Sequence, residues 1–474
     1  MNRRNFIRGA ALAAMCPGTT AAAVVSRPRS GVVRVSREVP LKATVDVFVA
    51  GGGPAGVAAA VSAAQTGARV FLVESQGACG GMSTSGLVPV FMGFGDGVNT
   101  LSAGFATQVR TRLSAERGLE GPANDFEALK RVYDALLTET KVDFCFQTKL
   151  VDVVTEGDRI VAAVCSGPSG LWAVRAKAFV DATGNADLAF AAGAHLEKGD
   201  DAGRVMPGTL CSVWTDFDWE RWNRERPTKP KTFRGWADFV DAALADGVFL
   251  EPDRHVTGFE RLGKNLAAAN MGHAFNLDPT DERSVTQAYV RCRAQMKEWQ
   301  RYFREYVKRG TENIRLVATG DLLGVRESRR LVADYTLSVE DYANRASFED
   351  EIGRYSYPID IHPATGTKAD MEKFHRTTAF KKYGRGESYG IPYRSLVAKG
   401  YANLLAAGRC MGTDPLMQAS VRVIPCCYIT GQAAGIAAAL SVRADGDVRS
   451  VKYADLARQI VSLGGWLRTK EEES

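Results

Sequence analysis

The chain has 474 residues, a formal net charge of +6 and 45% hydrophobic residues, a length for two to four domains with an ordinary globular composition. Arg3, Arg4 and Arg8 supply half of that excess charge, so the remainder is nearly balanced and carries no basic block; nucleic acid is excluded as a partner on this ground. No run of about 18 uninterrupted apolar residues follows the N-terminus, so no stable membrane span is expected.

In chain order, the first element is an export segment. Arg3-Arg4-Asn5-Phe6-Ile7-Arg8 resembles the twin-arginine pattern R-R-x-F-(L or I)-K, a weakly apolar stretch runs from Gly9 to Cys16, and Ala21-Ala22-Ala23 offers small-residue cleavage sites. Met15 before Cys16 fits a lipid-attachment motif poorly. Residues 1–25 therefore read as a signal peptide and 26–43 as a polar linker. The expected destination is the periplasm or cell exterior, with the twin-arginine machinery as a partner.

Residues 46–74 carry the densest signal. An apolar strand, Asp46-Val47-Phe48-Val49-Ala50, feeds Gly51-Gly52-Gly53-Pro54-Ala55-Gly56, a small-residue helix follows, and a second apolar strand ends on Glu74. Strand, G-x-G-x-x-G turn, helix, strand and terminal acid form the dinucleotide-binding fingerprint. Gly51 permits the turn, Gly53 admits a pyrophosphate, and Gly56 lets the helix pack closely on the strand. Pro54 and Ala55 open a helix whose free N–H groups and positive dipole end face the phosphates. Glu74 is placed to accept from the adenosine ribose.

Four short apolar runs follow at Phe144-Cys145-Phe146, Leu150–Val154, Ile160–Val164 and Trp172-Ala173-Val174; turn residues separate them, and together they predict a β-meander. Ala178–Asp181 then leads into Ala182-Thr183-Gly184, a tight small-residue turn beside the nucleotide. Asp281 to Arg309 predicts a helix with Val285, Ala288, Tyr289, Cys292, Met296, Trp299 and Phe303 on one core-facing stripe. Asn403–Ala407 reads as a buried strand before Gly408-Arg409. A last long helix starts at Pro425, where proline costs no hydrogen bond, and runs through Gly431-Gln432-Ala433-Ala434-Gly435.

Taken together, these motifs resemble the bacterial FAD-dependent oxidoreductase family: the Gly51–Gly56 turn, Gly80–Val88 with Gly81 and Met82, Ala182–Gly184, Gly324–Arg330, Tyr357–His362, Ile391–Arg394 and Gly431–Gly435. That family shares the glutathione-reductase-type fold of the fumarate reductase flavoproteins. The resemblance implies FAD, with Gly408, Arg409 and Gly431 on the cofactor side and the isoalloxazine under the helix after Pro425. The implied fold is an α/β, Rossmann-like three-layer ββα domain, discontinuous over 44–195 and 390–445. An α+β substrate domain is inserted at 196–389, and a C-terminal helix and tail occupy 446–474. Many relatives carry a His after the Gly-Arg-Cys turn. Here Thr413-Asp414-Pro415 stands instead, so no catalytic His is carried to that position.

Candidate chemistry must come from few residues. Of five histidines, His195 reads as structural, His255 as solvated and His375 as part of a basic loop. His273 is flanked by small residues that would admit a ligand. His362 shares a strand face with Asp360 if 357–362 is extended, and a neighbouring carboxylate would make it a catalytic base. Arg326 and Arg422 are the arginines suited to clamp a substrate carboxylate, and Asp414 would bind a hydroxyl or stabilise the turn before Pro415. The cysteines form no C-x-x-C pair and no His lies at zinc spacing, so no metal is expected. The expected activity is oxidation of a small organic substrate with hydride passed to flavin N5 and on to an unidentified electron acceptor. The reverse reaction on an unsaturated or carboxylated substrate, and a non-catalytic carrier, are the alternatives. No second phosphate fingerprint occurs, so no NAD(P) domain is expected.

Overall fold

The computed structural model describes residues 24–25, 33, 35–117, 124–251, 253–365, 367, 369–370 and 383–468. The chain forms two units, Met1–Pro40 and Leu41–Ser474. In the first, β1 (Val24–Val25) pairs antiparallel with β2 (Val35–Ser36). The rest of the segment read as an export signal lies outside the described residues.

In the second unit, β4 (Val47–Ala50), α1 (Pro54–Gln65) and β5 (Val70–Val73) form the expected β/α/β unit. With β6 (Asp143–Cys145), β10 (Ala178–Asp181) and β19 (Leu404–Ala406) they complete a parallel sheet of order β19-β10-β4-β5-β6. Phe144 therefore belongs to the edge of this sheet and not to the meander. The meander proper is β7 (Lys149–Glu156), β8 (Arg159–Gly167) and β9 (Gly170–Arg175). β3 (Leu41–Thr44) joins it parallel to β9, so the last residues expected as linker are sheet.

Side-chain alternation builds the three layers. Val47, Val49, Val70, Leu72 and Val180 pack into the core beneath α1, α3 (Phe126–Glu139) and α10 (Ile424–Ser441). Phe48, Phe71, Val73 and Phe179 point the other way, onto the meander. α10 is apolar and long enough to span a membrane, but 94% of its most apolar window is buried inside the protein; it is a core helix. Gly431 and Gly435 seat it directly on α1: an added Cβ would lie 2.2 Å from the Ala55 carbonyl oxygen and 2.0 Å from that of Ala59. α2 (Phe105–Arg117) and α11 (Tyr453–Ser462) flank this layer.

After β10 come α4 (Asp187–Ala192) and β11 (Leu196–Lys198), the latter paired with β16 (Arg329–Leu331). An antiparallel sheet of order β13-β14-β12-β15 follows, built from β12 (Ser212–Thr215), β13 (Phe259–Arg261), β14 (Ala267–Ala269) and β15 (Arg315–Thr319). Its own aromatic core includes Trp214, Trp222, Trp236 and Trp299, with α5 (Trp219–Glu225), α6 (Val240–Ala245) and α7 (Glu282–Tyr302) packed around it. α8 (Val339–Asn344) precedes β17 (Glu351–Tyr355), which pairs with β18 (Tyr389–Pro392). α9 (Pro415–Val421) leads back into α10.

Candidate active site

The glycine turn works as three separate devices. Gly51 has φ +91° and a Cβ there would meet the Ala182 carbonyl oxygen at 2.8 Å; a Cβ on Gly56 would meet the Gly51 carbonyl oxygen at 1.8 Å. Those two glycines serve backbone packing. Gly53 differs: its nearest neighbour to an added Cβ is 3.9 Å away, so it faces open space at the end of α1. Gly53 also caps α1 without any side-chain hydrogen bond, which leaves first-turn N–H groups for an anion.

That open space is a cleft of about 390 Å³. Gly51, Gly53, Pro54, Ala55, Glu74, Gly81, Met82, Ala182, Thr183, Gly184, Gly408 and Arg409 line it, whereas Gly56 and Gly431 do not. Gly431 instead packs against the backbone of α1. Glu74 is buried; its carboxylate accepts from the Gly52 N–H (2.7 Å), the Gln76 N–H (2.7 Å) and the Ser75 hydroxyl (3.1 Å). It pins the turn and keeps acceptor capacity for a ribose. The open Gly53 cradle, the uncapped helix and this acid fit an adenine dinucleotide. Val285 and Tyr289 of α7 also line the cleft. The stripe expected to be plain core therefore divides, with Ala288, Cys292, Met296, Trp299 and Phe303 buried behind it.

A second cavity of about 500 Å³ shares Met82, Val325, Arg409, Arg422 and Ile424 with the cleft, and it is here that Arg326, His362 and His255 meet. The start of α10 thus stands at the junction of both spaces, with its dipole's positive end toward them. Arg409 ties the junction together by donating to the carbonyls of Gly184 (2.7 Å) and Val325 (2.6 Å) and to the Asn185 side chain (2.7 Å).

The arginines separate by partner. Arg330 is ion-paired with Glu327, and Arg329 with Asp187 at 3.1 Å. Arg326 is buried, donates to the Pro207 carbonyl (2.8 Å) and the Thr209 hydroxyl (2.7 Å), and has no ion pair among the described residues. Burial and the nearby Arg422 push its guanidinium down to about 10. Arg422 pairs with Asp360 at 3.2 Å. Asp414 is an N-cap, accepting from the Met417 and Val339 N–H groups at 2.6 Å each, and lies outside both cavities.

Histidine placement departs most from expectation. His195 is exposed, and His375 lies outside the described residues. Residues 357–362 are not a strand. His255 is not a solvated loop residue: its ring stacks on His273 at 4.4 Å between centroids and meets His362 edge-on at 4.9 Å. His273 Nδ1 lies 3.0 Å from Asp253, its Nε2 lies 2.9 Å from His362 Nδ1, and His362 Nε2 lies 3.6 Å from Asp360. Burial and Arg326 push His362 down to about 3. Burial likewise lowers His255 and His273, the latter partly offset by Asp253. Burial would raise Asp360, but His362, Arg422 and Arg326 outweigh it and hold its carboxyl below the usual range. Both His362 nitrogens thus have protein partners, and the candidate proton acceptor is the cluster instead of one free ring. Asp253 and His255 were missed because no local spacing in the sequence marks them.

A phosphate turn on a three-layer ββα domain, opening onto a second cavity with buried charge, defines a dinucleotide-dependent redox enzyme. The chain belongs to the FAD dependent oxidoreductase family, whose model matches residues 46–460; its cofactor is FAD. Solved structures resemble it at low identity. One is a geranylgeranyl bacteriochlorophyll reductase-like protein from Thermoplasma acidophilum (12% identical, covering 89% of this chain and 84% of that one, TM-score 0.41). Others are a flavin-dependent brominase (11%, 89% and 83%, TM-score 0.43) and p-nitrophenol 4-monooxygenase from Pseudomonas putida (14%, 89% and 85%, TM-score 0.41). No curated protein sequence matches the chain.

Proposed function

We propose that this oxidoreductase is an exported dehydrogenase that takes hydride from a small, carboxylate-bearing organic substrate and hands electrons to a separate acceptor. The observation that carries this reading is Arg326. A buried guanidinium with no ion pair is costly to hold, and it lines a cavity that shares its wall with the FAD cleft. An anionic substrate relieves that cost. Bound FAD supplies the hydride acceptor at N5. Arg326 holds the carboxylate, Arg422 and Asp360 fix the cavity wall, and the substrate's proton leaves toward the histidine cluster. A reductase running the other way, in keeping with the fumarate reductase resemblance, uses the same arginine.

Anaerobic titration of the holoprotein with hydroxy acids, amino acids, dicarboxylates, alcohols and sugars separates these readings. Loss of visible flavin absorbance with a carboxylate substrate is expected. Arg326→Ala should then weaken its binding roughly 10–100-fold, the range for a lost hydrogen bond to a charged group. His362→Ala should slow flavin reduction roughly 10²–10⁴-fold with FAD content kept. Bleaching by neutral sugars alone, unaffected by Arg326→Ala, overturns the carboxylate assignment. Reoxidation of reduced enzyme by unsaturated dicarboxylates, with no bleaching by any donor, reverses the direction.

A further inference from the structure

Three of the five histidines in the chain converge on one point from separate segments: His255 before β13, His273 after β14 and His362 after β17. One ring nitrogen from each lies within 4.8 Å of the others. Gly272 donates its N–H to the His255 carbonyl at 2.9 Å, which holds two of the segments side by side.

The contacts around these rings leave buried polar atoms without a partner among the described residues. Asp253 faces His273 Nδ1 at 3.0 Å, His273 Nε2 faces His362 Nδ1 at 2.9 Å, and His362 Nε2 faces Asp360 at 3.6 Å. Two neutral imidazoles satisfy the two shorter contacts, and His362 Nε2 faces Asp360 at ion-pair distance, beyond hydrogen-bond reach. The third ring adds an unused nitrogen: among the described residues the buried His255 Nδ1 has no hydrogen-bond partner, and neither has Asp253 Oδ2.

The geometry points to a site for one divalent transition-metal ion of the zinc class, held by His255, His273 Nε2 and His362 Nδ1 and open to the substrate cavity. Imidazole is the ligand type such ions select. A carboxylate on the far nitrogen of a ligating histidine is the arrangement that fixes its tautomer and raises its basicity, and here Asp253 and Asp360 stand in those places. Zn–N bonds of about 2.0–2.1 Å put tetrahedral ligands about 3.4 Å apart, so ring shifts on the order of 1 Å close the set. His255 and His362 line the second cavity, which leaves a fourth position for solvent or a substrate oxygen; with the ring lone pairs on the ion, solvent held at that position would take the substrate's proton in place of the histidines. Binding of the ion does not depend on the direction in which the flavin chemistry runs. Only the assignment of substrate to the open position rests on the proposed dehydrogenase reading.

The test uses untagged, FAD-loaded full-length protein in equilibrium dialysis against Zn²⁺, with bound zinc read by elemental mass spectrometry. One saturable zinc per chain is expected. His255→Ala, His273→Ala and His362→Ala should each lower its affinity by at least tenfold while flavin absorbance and circular dichroism are kept. Should the histidine variants fail to fold, Asp253→Asn decides, because it removes no ligand; its affinity should fall roughly 10–100-fold. Co²⁺ loading should add ligand-field bands that vanish in the same variants. No saturable zinc in the wild type, or zinc binding unchanged in the folded variants, overturns the site and leaves a plain histidine–histidine hydrogen bond. Neither result bears on whether carboxylates bleach the flavin.

Discussion

At Gly53 a side chain would project into the FAD cleft without touching the protein, since nothing lies within 3.9 Å of an added Cβ. Gly53→Val should therefore fold, keep its circular dichroism and purify without visible flavin absorbance; stoichiometric FAD in that variant would contradict the pyrophosphate assignment. Gly56→Ala should instead fail at folding, because its Cβ would meet backbone at 1.8 Å. The fingerprint made both roles legible, since strand, turn and helix are contiguous in sequence. Burial is a tertiary property, and the behaviour of Asp181 was hidden for that reason. Its carboxylate accepts from Ala189 N–H (2.9 Å), Thr183 N–H (3.0 Å) and the Thr183 hydroxyl (2.7 Å). Burial outweighs these bonds and pushes it up to about 6. A folded value above the unfolded one means stability is fully present below about pH 4 and is lost as pH rises through 6, by at most about 3 kcal/mol. Melting temperatures across this range should shift in favour of Asp181→Asn as pH rises. A constant difference would show that the group does not titrate there.

Elements were legible where their period and their partners are both local. α1, α7 and α10 stand where the sequence places them, and β4 and β5 are the two apolar strands that flank the glycine turn and its helix. Partners across the fold were not legible. Phe144-Cys145-Phe146 has a strand pattern that suits a meander or a sheet edge equally, and only the structure shows β6 parallel to β5. Residues 357–362 fail as a strand for a local reason: Pro358, with Pro363 just beyond, lacks the N–H that a ladder requires. The α1–α10 contact gives a prediction at this scale. Gly431→Ala would press a methyl to 2.2 Å from the Ala55 carbonyl oxygen. Backbone cannot yield as a side-chain tip can, so the cost should sit at or above the roughly 1–3 kcal/mol of ordinary overpacking. Thermal unfolding followed by flavin fluorescence should show FAD released at lower temperature than in the wild type; an unchanged release temperature would mean the helices part freely.

Across the whole molecule, function gathers residues that the sequence keeps far apart. Asp253, His255, His273, Arg326, His362 and Arg422 come from five different stretches; His255, Arg326, His362 and Arg422 line one cavity, with His273 and Asp253 in series behind His362. No spacing rule reaches across such distances, so the sequence offered His273, Arg326, His362 and Arg422 one by one but not their convergence, nor Asp253 and His255 beside them. The same global closure bears on export. The FAD cleft is walled by residues from 51 to 427, including α7 of the inserted region and the start of α10, so cofactor loading needs both segments of the FAD domain in place. Under the proposed export, a chain that must be folded before it holds FAD requires a route for folded proteins. The Arg3-Arg4 pair supplies the sequence such a route selects. Replacing both by Lys should leave flavin-loaded, full-length protein in the cytoplasm, with normal visible absorbance and folding. Fractionation showing equal periplasmic yield for the wild type and the Lys-Lys variant would remove the twin-arginine assignment. A variant retained without FAD would instead tie the N-terminal segment to cofactor loading.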